Sequence, residues 1–110
     1  MKYLVYVKDR PSGVQPPDPV ALNRAVRAWV EARLMDRTMD CAYYVLPKMG
    51  LCIINADSHE ALLSLLRAWP SFAYQEFEIH MLADVRHGID DNFDRMQRDA
   101  TKGAPAAEAS

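Results

Sequence analysis

Glu76, Glu78 and His80 stand at alternate positions in residues 72–82, a segment in which apolar and polar side chains alternate. Read as a strand, it puts these three on one face, with neighbours about 7 Å apart, and Phe77, Ile79 and Met81 on the other. Proton transfer at neutral pH needs a group that titrates near 7, and an imidazole beside a partly desolvated carboxylate supplies one. The trio is the candidate catalytic set, able to move a proton on a small enolisable or lactone-like substrate. The competing reading makes the carboxylates ordinary ion-pair partners of lysine or arginine at a wet edge, since structural ion pairs also shift pKa values.

Tyr6, Tyr43, Tyr44 and Tyr74 offer phenol donors to a bound carbonyl or carboxylate, and Tyr6, Tyr44 and Tyr74 are the candidate substrate-binding residues. Packing on the two faces of a sheet is the plainer role for each one singly. No metal is expected, because His59, His80 and His87 lack a ligand spacing such as His-x-x-x-His. No cofactor is implied. Cys41 and Cys52 are too few for a disulfide scaffold; they fall on two hairpin strands and could face each other, though burial is the usual fate of such thiols.

The elements that must hold these residues follow from the pattern. Residues 1–8 are rich in Val and Tyr and read as a strand apolar on both faces, Tyr3, Val5 and Val7 on one, Leu4 and Tyr6 on the other. Three prolines and a glycine make residues 9–18 a loop. Asp18-Pro19 starts a helix, with Asp as N-cap and Pro at the first helical position. Leu22, Val26, Trp29, Val30 and Leu34 form its apolar stripe, and it fades near Asp36. Residues 39–47 and 50–56 read as an antiparallel hairpin. Asp57-Ser-His-Glu60 resembles a capping box, Leu62, Leu65, Leu66 and Trp69 mark a second helical stripe, and Pro70 ends it. After Ala83, Ile89, Phe93 and Met96 have amphipathic spacing over 84–100, and the small, polar residues 101–110 read as a frayed tail.

The order β-α-β-β-α-β over 1–83 makes an α+β chain: a ferredoxin-like four-stranded antiparallel sheet with both helices on one face. The other face is then open. It is expected to carry Leu4, Tyr6, Cys52, Ile54, Tyr74 and Leu82 with Glu76, Glu78 and His80 among them, and so much apolar surface calls for a second copy. With 110 residues, the chain has room for one domain and little room for a private pocket, which again favours a homodimer or higher homo-oligomer. Half the residues are hydrophobic and a quarter charged, as in a globular domain rather than a disordered one. A net charge of −2 gives no basic surplus for a nucleic-acid partner. No apolar run approaches the ~20 residues of a membrane span, the charged N-terminus is unlike a signal peptide, and the cytoplasm is the expected location.

The segment from Asn55 to Glu78 resembles the muconolactone isomerase family. Its most specific part is Leu66-x-x-x-Pro70-x-Phe72-x-Tyr74, followed by an acidic-x-Glu pair at Glu76 and Glu78; element order extends the likeness from Met1 to about Leu82. The resemblance implies a dimeric α+β barrel and a cofactor-independent isomerase acting on a small lactone or aromatic catabolite, with C-terminal extensions that reach a neighbouring subunit. Two positions depart from the family. The first-helix glutamate of its lactone isomerases is missing from Arg24-Ala-Val-Arg-Ala28, Glu31 being nearly two turns later, and Leu4 and Tyr6 replace a first-strand histidine and arginine. Related barrel chemistry, such as cofactor-free oxygenation or cyclisation, and a non-catalytic ligand-binding or assembly module remain the alternatives.

Overall fold

The computed structural model describes residues 1–11 and 13–109, with side chains as far as Thr101. Four strands, β1 (Lys2–Asp9), β2 (Met39–Val45), β3 (Met49–Asn55) and β4 (Gln75–Leu82), form one antiparallel sheet in the order β2-β3-β1-β4. Helices α1 (Pro19–Met35) and α2 (His59–Arg67) make the two crossovers, and α3 (Val85–Ala109) follows the last strand. This is the ferredoxin-like βαββαβ arrangement, with the central strands β1 and β3 paired to each other. The tail expected over 101–110 falls almost wholly outside the described side chains.

The helix ends have the chemistry that the sequence calls for, with one shift of position. The Asp18 carboxylate accepts from the Ala21 backbone N–H at 3.1 Å and Pro19 follows it, so α1 starts where the Asp-Pro pair places it. At α2 the cap is Ser58 rather than Asp57: its Oγ accepts from the Ala61 N–H at 3.0 Å. That move puts Glu60 one residue too early to close a capping box.

The core lies between the helices and one sheet face. Tyr3, Val5 and Val7 of β1, Met39 of β2, Cys52 and Ile54 of β3, and Leu62, Leu66 and Trp69 are all buried there. Trp69 joins the layers, 4.9 Å by ring centroids from Trp29 on α1 and 5.6 Å from Phe77 on β4, both within the range of favourable aromatic pairing. Burying Tyr3 requires a partner for its hydroxyl, which lies 2.6 Å from His59 Nδ1 at the first residue of α2. His59 is thereby tied to the core.

Register corrects part of the expected open face. Antiparallel partners share a face, and Val5 pairs with Cys52 while Tyr3 pairs with Ile54, so Cys52 and Ile54 lie beneath the helices. Leu51 and Ile53 take the open side, opposite Tyr6 and Leu4. Cys41, opposite Ile53, also lies on the open side, so the two thiols occupy opposite faces instead of facing each other. Burial pushes the Cys52 thiol up to about 12, with a smaller contribution from nearby Cys41.

Helix α3 keeps its apolar stripe in solvent. Ile89, Phe93 and Met96 are 48%, 61% and 65% exposed, so they do not dock on their own domain. No helix among the described residues is long and apolar enough to cross a membrane.

Candidate functional site

Strand parity sorts the candidate residues onto two sides of the sheet. On β4, His80 pairs with Leu4, Glu78 with Tyr6 and Glu76 with Lys8, which places all three candidate catalytic side chains on the open face. His80 Nε2 is 2.9 Å from Glu78 Oε2, a hydrogen-bonding pair in which both side chains are about half exposed. The Tyr6 ring stands edge-on to the imidazole, with centroids 6.0 Å apart and planes at 87°. Lys8 Nζ lies 3.8 Å from Glu78 Oε1. Leu4, Leu51 and Ile53 form a half-buried apolar floor beside this group.

The electrostatics favour an ionised Glu78. Its hydrogen bond with His80, and then the positive charge of Lys8, hold its carboxyl below the ordinary glutamate value of 4.5. Glu76 is exposed and stands opposite Lys8 across the strands, further from the imidazole than Glu78 by one strand repeat. Of the trio, Glu78 and His80 are in contact.

The tyrosines divide. Tyr6 joins the histidine and the carboxylates. Tyr44 pairs with Gly50, one position out of phase with the open face, and points to the helix side; Tyr43, opposite Leu51, is the β2 tyrosine on the open face. Tyr74 belongs to a 3-10 turn (Phe72–Tyr74) that precedes β4, not to the strand. Tyr44 and Tyr74 instead line a cleft of about 760 Å³ between the loop after β1, the first half of α1 and that turn. Arg10, Asn23, Arg24 and Gln75 share its walls.

Lys8 and the two arginines were not singled out by sequence reasoning. Lys8 was within reach of it, because it stands two residues beyond Tyr6 and so shares its face. Arg10 and Arg24 carry no comparable signal, since a loop and a helix converge on the cleft only in three dimensions. Among the described residues, no group of three or more His, Cys, Asp or Glu side chains is placed to hold a metal ion.

The fold has solved counterparts. Muconolactone isomerase superposes with a TM-score of 0.68 at 19% identity, covering 76% of this chain and 90% of the other. A 5-chloro-2-hydroxyhydroquinone dehydrochlorinase from Burkholderia phenoliruptrix AC1100, solved with 2,5-dihydroxybenzoquinone, gives a TM-score of 0.62 at 18% identity over 79% of this chain and 98% of that one. At such identities the likeness establishes the ferredoxin-like fold. No protein-family model matches the sequence, and no curated protein sequence does.

Proposed function

We propose that this chain is a cofactor-independent enzyme that shifts a proton within a small cyclic, enolisable substrate on the open face of its sheet. The observation that carries this reading is the 2.9 Å contact between His80 Nε2 and Glu78 Oε2. With Glu78 ionised, the neutral imidazole donates its Nε2–H to the carboxylate, which leaves Nδ1 as a lone-pair base. Nδ1 then takes a proton from a carbon beside the substrate carbonyl and, with the half-exposed imidazolium exchanging its protons with solvent, delivers a proton to another carbon of the enolate. The resulting imidazolium is stabilised by Glu78 in between. Tyr6, edge-on to the ring, supplies a phenol donor for the enolate oxygen, while Leu4, Leu51 and Ile53 offer a surface for an apolar ring. Glu76 has no separate step in this scheme.

The substrate class is drawn from that chemistry and is consistent with the two fold counterparts, whose names specify a lactone and a hydroxyquinol. The test is turnover of muconolactone by the full chain and by His80→Ala. Removing a positioned general base lowers kcat by about 10²- to 10⁴-fold. Unchanged kcat in His80→Ala would remove the histidine from the site.

We also propose that the chain self-associates. The specific observations are the solvent-exposed stripe of Ile89, Phe93 and Met96 on α3 and an open sheet face with half-buried Leu4, Leu51 and Ile53. Burying a fully exposed side chain of this kind gains about 1.5–3 kcal/mol, and a half-buried one correspondingly less; a second copy covering the sheet would enclose the His80 group. Light scattering of the full chain against a chain ending at Ala83 should show fewer subunits per assembly for the shorter form. An equal number of subunits would exclude α3 from the contact.

A further inference from the structure

Two lysines of β1 share the open side of the sheet with Leu4 and Tyr6, and their surroundings differ. Lys2 is taken up at the β2 side: it is ion-paired with Asp40 and donates to Asn55 Oδ1 at 2.8 Å, while Asn55 Nδ2 donates to Asp40 Oδ1 at 2.7 Å. Lys8 turns to β4 instead. Its partner in the ladder is Glu76, yet its ion pair among the described residues runs diagonally, to Glu78. Diagonal neighbours of an antiparallel pair lie within reach of a long side chain. We propose that Lys8 is a positioning residue: it holds one oxygen of Glu78 so that the other faces His80. The assignment rests on the proton-transfer reading of that pair.

The two contacts use different atoms. Glu78 Oε1 lies 3.8 Å from Lys8 Nζ, and Oε2 lies 2.9 Å from His80 Nε2. The last torsion of a glutamate is broad and nearly two-fold, so a carboxylate held at one oxygen alone can turn. Packing does not stop it here, since the Glu78 side chain is 52% exposed. Its other neighbours on this face do not hold it either. Glu76, two residues earlier on the same strand, carries a like charge; Tyr6 stands opposite in the ladder with its ring against His80; and β3 brings the uncharged Leu51 and Ile53.

A fixed Oε2 matters because it decides which ring nitrogen is the base. While Oε2 accepts the Nε2–H, the imidazole lone pair stays on Nδ1; a carboxylate that turns away releases that tautomer. Lys8 contacts the carboxylate and not the imidazole, so its effect passes through Glu78. Half-exposed ion pairs are weak, and their coupling corresponds to a bias of about fivefold at most. That is far below the loss of about 10²- to 10⁴-fold expected on removal of the base itself. Lysine suits this place, because a single carboxylate oxygen asks for a point charge and not for a two-pronged guanidinium.

The experiment compares the full chain with Lys8→Met, Lys8→Gln and Lys8→Arg, by muconolactone kinetics and by carbon-13 NMR titration of the Glu78 carboxyl without substrate. Both neutral variants should lower kcat by about fivefold with KM within about twofold, and Lys8→Arg should recover most of the loss. In both neutral variants the Glu78 carboxyl should titrate closer to its ordinary value of 4.5. Added to Glu78→Gln, Lys8→Met should have no further effect on kcat, because its route is already gone. An unmoved Glu78 titration in Lys8→Met and Lys8→Gln would overturn the proposal, as would an equal loss of kcat on the Glu78→Gln background. The titration needs no substrate, so it decides on Lys8 even in a chain that does not turn over muconolactone. Failure of the proton-transfer reading shows separately, as equal turnover by the native chain and His80→Ala.

Discussion

The two faces of this sheet are built from similar residues and end in different states. On the helix side Tyr3, Val5, Cys52 and Ile54 are all but inaccessible to solvent, whereas across the same strands Leu4, Tyr6, Leu51 and Ile53 are only half-buried. The difference follows from two helices covering one face of four strands. The covered face can supply stability, because its atoms leave water in the single chain. The open face can hold polar groups such as Glu78 and His80 without a desolvation cost that would destabilise the fold.

The sharpest way to break this contrast is thiol labelling, for which the largest difference is expected. Cys52 is buried and its thiol is pushed up to about 12, so its thiolate is scarce at pH 8; Cys41 on the open face is half-buried and reachable in the isolated chain, at dilutions where no second copy covers it. A chromogenic disulfide should label one thiol per native chain and two after unfolding. Two rapid labels in the native chain would show that the two faces are not distinct.

Stability measurements come next. Ile54→Ala should cost about 2–5 kcal/mol, since the site beneath the helices cannot refill with water or collapse fully. The neighbouring Ile53→Ala should cost about 1 kcal/mol or less in an isolated chain. Urea denaturation of both checks this, and equal losses would contradict the assignment of faces. At the α2 terminus Ser58→Ala should cost about 1 kcal/mol, while Asp57→Ala should stay within about 0.5 kcal/mol.

These pairs also show what could be read from residue order. Helix positions, the hairpin, the covering of one face and the grouping of Glu76, Glu78 and His80 follow from local spacing, and the structure agrees. The parity of β3 does not. Leu51, Cys52, Ile53 and Ile54 are all apolar, so nothing in the segment itself says which pair turns inward; only the pairing with β1 decides it. The same ambiguity affects Tyr43 and Tyr44, adjacent and identical in type, which register sends to opposite sides. Tyr74 left the strand because the turn after Pro70 runs through Phe72–Tyr74 before extended backbone begins at Gln75. A candidate site assembled from one strand was legible, and one assembled from a loop, a helix and a turn was not.

The smallest expected effect is in acid. Glu78 is held below its ordinary value by His80 and Lys8, so its contribution to stability is present above about pH 4.5 and is lost as pH falls through the lowered value. Glu78→Gln removes that contribution. Its stability difference from the native chain should be constant in the range where Glu78 is fully ionised and shrink in acid, as seen in urea midpoints taken below pH 4.5. A difference that grows on acidification would reverse the assigned direction.

The central claim is that acid–base chemistry belongs to the open face. Deuterium uptake into muconolactone from D₂O, followed by NMR with the native chain, His80→Ala and Tyr44→Phe, tests it most directly. The account predicts uptake with the native chain and with Tyr44→Phe, and a loss of about 100-fold or more with His80→Ala. Undiminished uptake with His80→Ala, or loss confined to Tyr44→Phe, would contradict it and move the chemistry to the helix side.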